Sequence, residues 1–196
     1  MRINFGNFIS FEKKLVANCA IKNKKQTEPC KIFRLDRKED RRYFVDLSKN
    51  KDWIHFHYIH VADSGFRHDF LPNEFYVLET QDEKCLGYCE VATDEDKSDE
   101  LFLIETIPSE SSKNPTRERK YIGETMLAFL VKRALDKGKK YFFIDCPSAS
   151  AYSFYKDKCG FRLNKKEDKL ALTPALSRRL INKNEKHTNS TIEIIG

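Results

Sequence analysis

Residues Glu118 to Asp136, ERKYIGETMLAFLVKRALD, constrain the fold more than any other stretch of the chain. Their apolar positions Ile122, Met126, Leu127, Leu130, Val131, Ala134 and Leu135 recur at three- and four-residue steps, the period of one helical face. Gly138 follows among Lys137, Lys139 and Lys140, and this is a stop signal. The start carries more chemistry. The first N–H groups of a helix have no internal partner, and the helix dipole puts partial positive charge there. Arg117, Arg119 and Lys120 stand just before it. An anion site is a natural reading of that head, beside the plainer one of a surface helix with a basic entry.

The rest of the chain narrows the choice. At 196 residues it is long enough for one domain with a sizeable core, and 40% hydrophobic with 12% aromatic residues marks a globular chain. The net charge of +6 suits an anionic ligand, and no basic stripe interleaves with aromatics as a nucleic-acid surface would require. No apolar run approaches the ~20 residues of a membrane span. The opening MRINFGNFISFEKK lacks the apolar core of a signal peptide, so a cytoplasmic location is expected. The six cysteines include no C-x-x-C pair and read as reduced and mostly buried. Cys19 and Cys30 can face each other across a hairpin, with no disulfide expected. No metal is expected either. Trp53, His55, His57 and His60 lack the spacing of a zinc motif and a carboxylate or cysteine to complete one.

In chain order, 14–22 and 30–36 read as strands around the turn-rich NKKQTEP, giving an N-terminal hairpin over 1–36. Residues 38–48 look helical, and Asp52 can cap a short helix ending before Gly65, although that segment's alternation also suits a strand. Strands follow at 75–80, 85–92 and 101–107, the last closed by Pro108. A polar loop over 109–117 leads to the central helix. Residues 141–146 read as a short buried strand, 148–159 as a second helix capped by Ser148, and 161–163 with 169–172 as a last hairpin. From Pro174 the composition turns polar, which predicts a single domain over 1–173 and a mobile tail over 174–196, with IEII near its end able to dock. A strand–helix–strand unit after an antiparallel meander implies a mixed sheet with one right-handed parallel crossover and helices on its faces, an α/β (α+β) architecture.

Three segments resemble the GNAT superfamily of N-acetyltransferases. LFLIETIP is similar to the family's fourth strand with its x-V-x-P ending. RKYIGETML resembles the acetyl-CoA loop R/Q-x-x-G-x-G/A. AYSFYKDKCGF, Ala151 to Phe161, resembles the A-x-x-x-[FY]-Y-x-x-x-G-F segment. The match covers roughly 75–172. Aligned on Gly123, Tyr121 stands where the family's first glycine usually sits and Glu118 at the usual Gln/Arg position. The loop after Pro108 is longer than common, and Ser148 replaces a frequent asparagine.

The resemblance implies a GNAT-like, mostly antiparallel twisted sheet with a central parallel strand pair. It also implies direct acetyl transfer from acetyl-CoA, as co-substrate, to a primary amine in a ternary complex. The pyrophosphate would lie against Arg117, Glu118, Arg119, Lys120, Tyr121, Ile122, Gly123, Glu124 and Thr125, with Ser148 nearby, and the pantetheine arm along Ile104, Thr106 and Ile107. Tyr155 matches the tyrosine that protonates the CoA thiolate; the same side chain also suits core packing beside Phe154. Glu105 is a candidate base, directly or through water, unless the strand turns it to solvent or to a structural pair. Trp53 and His57 lie where the family builds its acceptor wall, and Asp145 is a candidate for holding a cationic substrate. The implied partner is a small-molecule or peptide amine, with no membrane, and a homodimer is a further expectation. The alternative is a GNAT-fold module that binds acyl-CoA or a protein without turnover.

Overall fold

The computed structural model describes residues 13–35, 73–93, 97–111, 114–144 and 149–195. Expected helices at 38–48 and before Gly65 lie outside them, as do Trp53, His57, Asp145 and Ser148. The chain opens with β1 (Lys14–Asn23) and β2 (Gln26–Leu35). Their turn is only Lys24-Lys25, with Lys24 at φ 54°. The turn expected over NKKQTEP is therefore shorter, and Gln26 to Pro29 extend β2. Cys19 lies opposite Cys30 in the register, and both are buried free thiols.

The meander β3 (Asn73–Thr80), β4 (Cys85–Thr93) and β5 (Ser98–Thr106) follows. After a 3-10 turn at Pro108–Glu110 come the two-residue β6 (Arg119–Lys120) and the long helix α1 (Ile122–Asp136). Then β7 (Tyr141–Ile144), α2 (Ala149–Ser153), β8 (Arg162–Asn164) and β9 (Lys169–Leu172) complete the pattern read from sequence. Helix α2 runs on as a π-wound turn over Phe154–Lys158. Gly138 at φ 74° and Gly160 at φ 81° end the two helical segments in the left-handed region, where glycine carries no Cβ penalty.

The strands form one sheet in the order β10-β1-β2-β3-β4-β5-β7-β9-β8, with β6 against β1. The pair β5–β7 is parallel; the other described pairs are antiparallel. The structure is thus the mixed, mostly antiparallel sheet with a central parallel pair that was expected. Glu74, Tyr76 and Leu78, with Gly87 and Cys89, face α1, as the Tyr76–Phe129 ring contact at 5.2 Å shows. Phe75, Val77, Leu86 and Tyr88 point to the other face and are also buried, so β3 and β4 are covered on both sides.

The C-terminal segment departs from expectation. In place of a mobile tail, Pro174–Thr188 forms helix α3, and Glu193–Ile194 forms β10 on the edge of β1. Thr173 caps α3 by accepting from the Leu176 N–H, and Pro174 occupies the first turn, where its missing donor costs nothing. Leu180 and Ile181 are buried as α3 packs on α1. That contact explains why α1 is buried from Glu124 through Val131, well beyond one apolar face.

Candidate functional site

The described pairing of β5 with β7 runs from Ser98↔Tyr141 to Leu101↔Ile144, and β5 continues to Thr106. Glu90 pairs with Leu103 and Val91 with Leu101, so Phe102 is an extra residue, a β-bulge. A bulge bends its strand and sharpens the local twist.

The head of α1 lies beside the far end of β5. An added Cβ on Gly123 would sit 3.5 Å from Thr106 Cγ2. Gly87 allows this approach, because a Cβ there would lie 2.8 Å from Met126 Sδ and 3.2 Å from Ile122 Cγ2. Ile104 and Thr106 therefore face α1, and the Ile107 N–H is held by the Leu86 carbonyl at 2.9 Å. Glu105 points to the opposite face, where the Tyr88 hydroxyl donates to it at 2.6 Å. Burial, and then this hydrogen bond, push the Tyr88 phenol well above its ordinary value. Of the alternatives open for Glu105, the structure gives a side-chain pair, with Tyr88 on the face away from α1.

Tyr121 precedes α1 at φ 69°, ψ 13°, with no side-chain cap bond to the helix. For a side chain other than glycine, this left-handed conformation costs roughly 1–2 kcal/mol. Tyr121 therefore adopts a backbone shape that glycine reaches freely. By helix geometry the N–H groups of Ile122, Gly123 and Glu124 have no intrahelical acceptor. The Tyr121 ring stacks on His187 of α3 at 4.6 Å, and His187 Nδ1 lies 2.9 Å from Glu124 Oε1.

The segment before α1 is tied down by the protein itself. The Glu110 carboxylate accepts from the N–H groups of Glu118 at 3.1 Å and Arg119 at 2.8 Å. The Arg119 guanidinium bonds Glu28 at 2.8 and 3.0 Å and Glu110 at 3.1 Å. Arg119, expected as a phosphate partner, is thus neutralised by two carboxylates. Glu118 carries an exposed ion pair with Lys24 at 2.9 Å. Lys120 is exposed and Arg117 half-buried. Thr125 is fully buried, its hydroxyl donating to the Ala20 carbonyl and accepting from Asn184, which makes it a structural residue.

Tyr155 lies in the π-wound turn, buried between Phe154 and Phe161 at ring distances of 5.2 and 5.8 Å. Burial, followed by the nearby Cys159 and Cys89 thiols, pushes its phenol above the ordinary tyrosine value. Cys89 is the register partner of Ile104, which brings Tyr155 to the α1 side of β5. The Cys159 thiol is pushed up to about 12 by burial and then by Glu124. Glu110, His187 and Tyr88 were not legible as site residues. Each reaches its partner through tertiary contact, and none stands in a local pattern.

Among the described residues no group of three or more His, Cys, Asp or Glu side chains is placed to hold a metal ion, and no helix is long and apolar enough to cross a membrane. The mixed, mostly antiparallel sheet with its parallel pair is the one that the GNAT resemblance implies.

No family model and no curated protein matches the chain. Among solved structures it is similar to nourseothricin acetyltransferase, at 15% identity and a TM-score of 0.36 over 51% of this chain and 62% of that one. It is also similar to AtaTR bound with acetyl-CoA, at 19% identity and a TM-score of 0.42 over 55% and 71% of the two chains. A third is spermidine N-acetyltransferase SpeG from Vibrio cholerae, at 16% identity and a TM-score of 0.45 over 80% and 98%. The chain thus spans under two thirds of the first of these. At such identities and scores the likenesses say nothing of what this chain acts on.

Proposed function

We propose that the chain is an acetyl-CoA-dependent N-acetyltransferase acting on a primary amine. The observation that carries this reading is the far end of β5, where Ile104 and Thr106 face the head of α1 and Tyr121 stands left-handed without a side-chain cap. The N–H groups of a helix's first turn suit phosphate oxygens, and a strand beside them suits an extended arm with amide groups. Both lie on one side of the sheet and fit the two halves of CoA.

Bound acetyl-CoA supplies an acyl group activated as a thioester. In this reading the N–H groups of Ile122, Gly123 and Glu124 hold the pyrophosphate. Lys120 and Arg117 add positive charge from the preceding segment. The pantetheine arm lies along Ile104 and Thr106, and a backbone N–H there polarises the thioester carbonyl; Ile107, expected beside them, has its N–H held by Leu86 and its carbonyl by Glu110. Glu105, oriented by Tyr88, takes the proton of the attacking amine directly or through one water, and its charge favours a cationic acceptor. As the new N–C bond forms and the C–S bond breaks, Tyr155 gives its proton to the leaving thiolate. The raised thiols of Cys89 and Cys159 are poor nucleophiles, which supports direct transfer without an acyl-enzyme.

Titration calorimetry with acetyl-CoA tests binding. Thiol release over a panel of polyamines, aminoglycosides and peptides with free amines tests turnover. Saturable binding with release on at least one amine is expected. Binding without release on any would favour a non-catalytic acyl-CoA module, and no binding would overturn both readings.

A further inference from the structure

The residue that opens α1 has a partner 66 positions away in the chain. Tyr121 holds the left-handed conformation at φ 69°, and nothing in its own segment explains why a bulky side chain stays there. Its ring lies almost parallel to that of His187, with centroids 4.6 Å apart and an interplanar angle of 24°. His187 is itself fixed. Its Nδ1 is bonded to Glu124 in the first turn of α1, so one imidazole contacts both the residue before the helix and a residue within that turn. The next residue of α3, Thr188, is anchored in turn, its carbonyl accepting from Thr27 Oγ1 at 2.8 Å. One turn earlier Asn184 donates to Thr125 at 3.0 Å. Helix α3 thus presents a rigid flat surface to the Tyr121 ring.

We infer that His187 is a positioning residue for acetyl-CoA: stacked on Tyr121, it keeps that backbone left-handed and so keeps the first N–H groups of α1 aimed at the phosphates. This rests on the reading of the α1 head as the pyrophosphate site. Glycine would hold the same conformation unaided. In this chain a residue of the C-terminal helix does the work of the absent glycine.

A double-mutant cycle on the full chain tests the inference, with acetyl-CoA affinity read by calorimetry and folding by thermal unfolding. His187→Ala is expected to weaken acetyl-CoA about tenfold, as loss of restraint on one left-handed residue implies, and to raise KM with kcat within about twofold. Tyr121→Gly reaches the left-handed backbone without the stack, and its own affinity is the reference for the second arm. In the Tyr121→Gly background, His187→Ala should cost no more than about threefold, because the backbone no longer needs the stack. His187→Leu, which keeps an apolar side chain on α3, is the second variant should the alanine form not fold, and the same losses are expected of it. Wild-type affinity in a folded His187 variant, or an equal loss in both backgrounds, overturns the inference and leaves the cofactor reading standing. Failure of the wild type to bind acetyl-CoA removes that reading, and this inference with it.

Discussion

Tyr155 shows how a residue's surroundings set what its proton can do. Burial is the main cause of its raised value, with the Cys159 and Cys89 thiols adding to it. A phenol raised in this way stays protonated over the working range, as a donor to a leaving thiolate must. Tyr155→Phe is expected to lower kcat by about 100- to 10,000-fold while acetyl-CoA affinity changes less than about twofold. In the wild type, no loss of activity from this group is expected as pH rises to about 10, because its folded value lies above the ordinary tyrosine value. Steady-state kinetics of both proteins over that range check this, and full activity in the phenylalanine variant removes Tyr155 from the acid role. Tyr155 was legible because FYKDKCGF is a local segment. Arg119 shows the converse: its charge is visible in the chain, but Glu28 and Glu110 meet it only in the fold.

At the scale of elements, the approach of α1 to the sheet depends on Gly87. An alanine Cβ there would lie 2.8 Å from Met126 Sδ and 3.0 Å from the Glu105 carbonyl oxygen. The methionine tip can turn aside, but the carbonyl belongs to β5 and cannot move without shifting the strand. Gly87→Ala is expected to destabilise the protein by about 1–3 kcal/mol, read as a lower urea midpoint at unchanged m-value. Unchanged stability would show that α1 and β5 give way more easily than this packing implies. Strands β3, β4 and β5 and helix α1 were legible because their apolar periods are strong. The bulge at Phe102 was not, since Leu101 to Ile104 is an unbroken apolar run and the extra residue exists only against Glu90 and Val91 of the partner strand. Helix α3 was missed because its polar composition hides the few positions, Leu180, Ile181, Asn184 and His187, that meet α1.

For the whole molecule, one buried charge cluster joins α1 to the sheet. Arg133 bonds Glu74, and it reaches Asp99 at 3.3 Å, with the carboxylates nearly or wholly buried. Tyr76 also donates to Glu74 at 3.0 Å. Burial pushes the Glu74 carboxyl up, but Arg133, Lys137 and Arg34 together draw it down further, below its ordinary value. Its contribution to stability is therefore present above the unfolded carboxylate value and lost as pH falls through the folded one. Asp99 behaves in the opposite sense. Burial dominates and raises it, so its contribution is present below the ordinary Asp value and lost as pH rises through the raised one. The two offset each other in the wild type, and Arg133 holds the balance. Arg133→Met is expected to cost about 3–5 kcal/mol at neutral pH, because two buried carboxylates are left facing each other. The loss should shrink as pH falls toward 4 and the carboxylates take up protons. Urea unfolding at several pH values checks this, and a loss that does not vary with pH would show that packing, not charge, is what Arg133 supplies.

The sequence by itself determined the order of β1 to β5, α1, β7 and the last hairpin, and the parallel crossover, because each is written in neighbouring residues or in a short spacing. Only the tertiary structure decided where β5 bulges against β4, which backbone donors Glu110 already occupies, and how a tyrosine can stand in a glycine's conformation. Those outcomes depend on contacts between residues far apart in the chain, and no local period or motif encodes them.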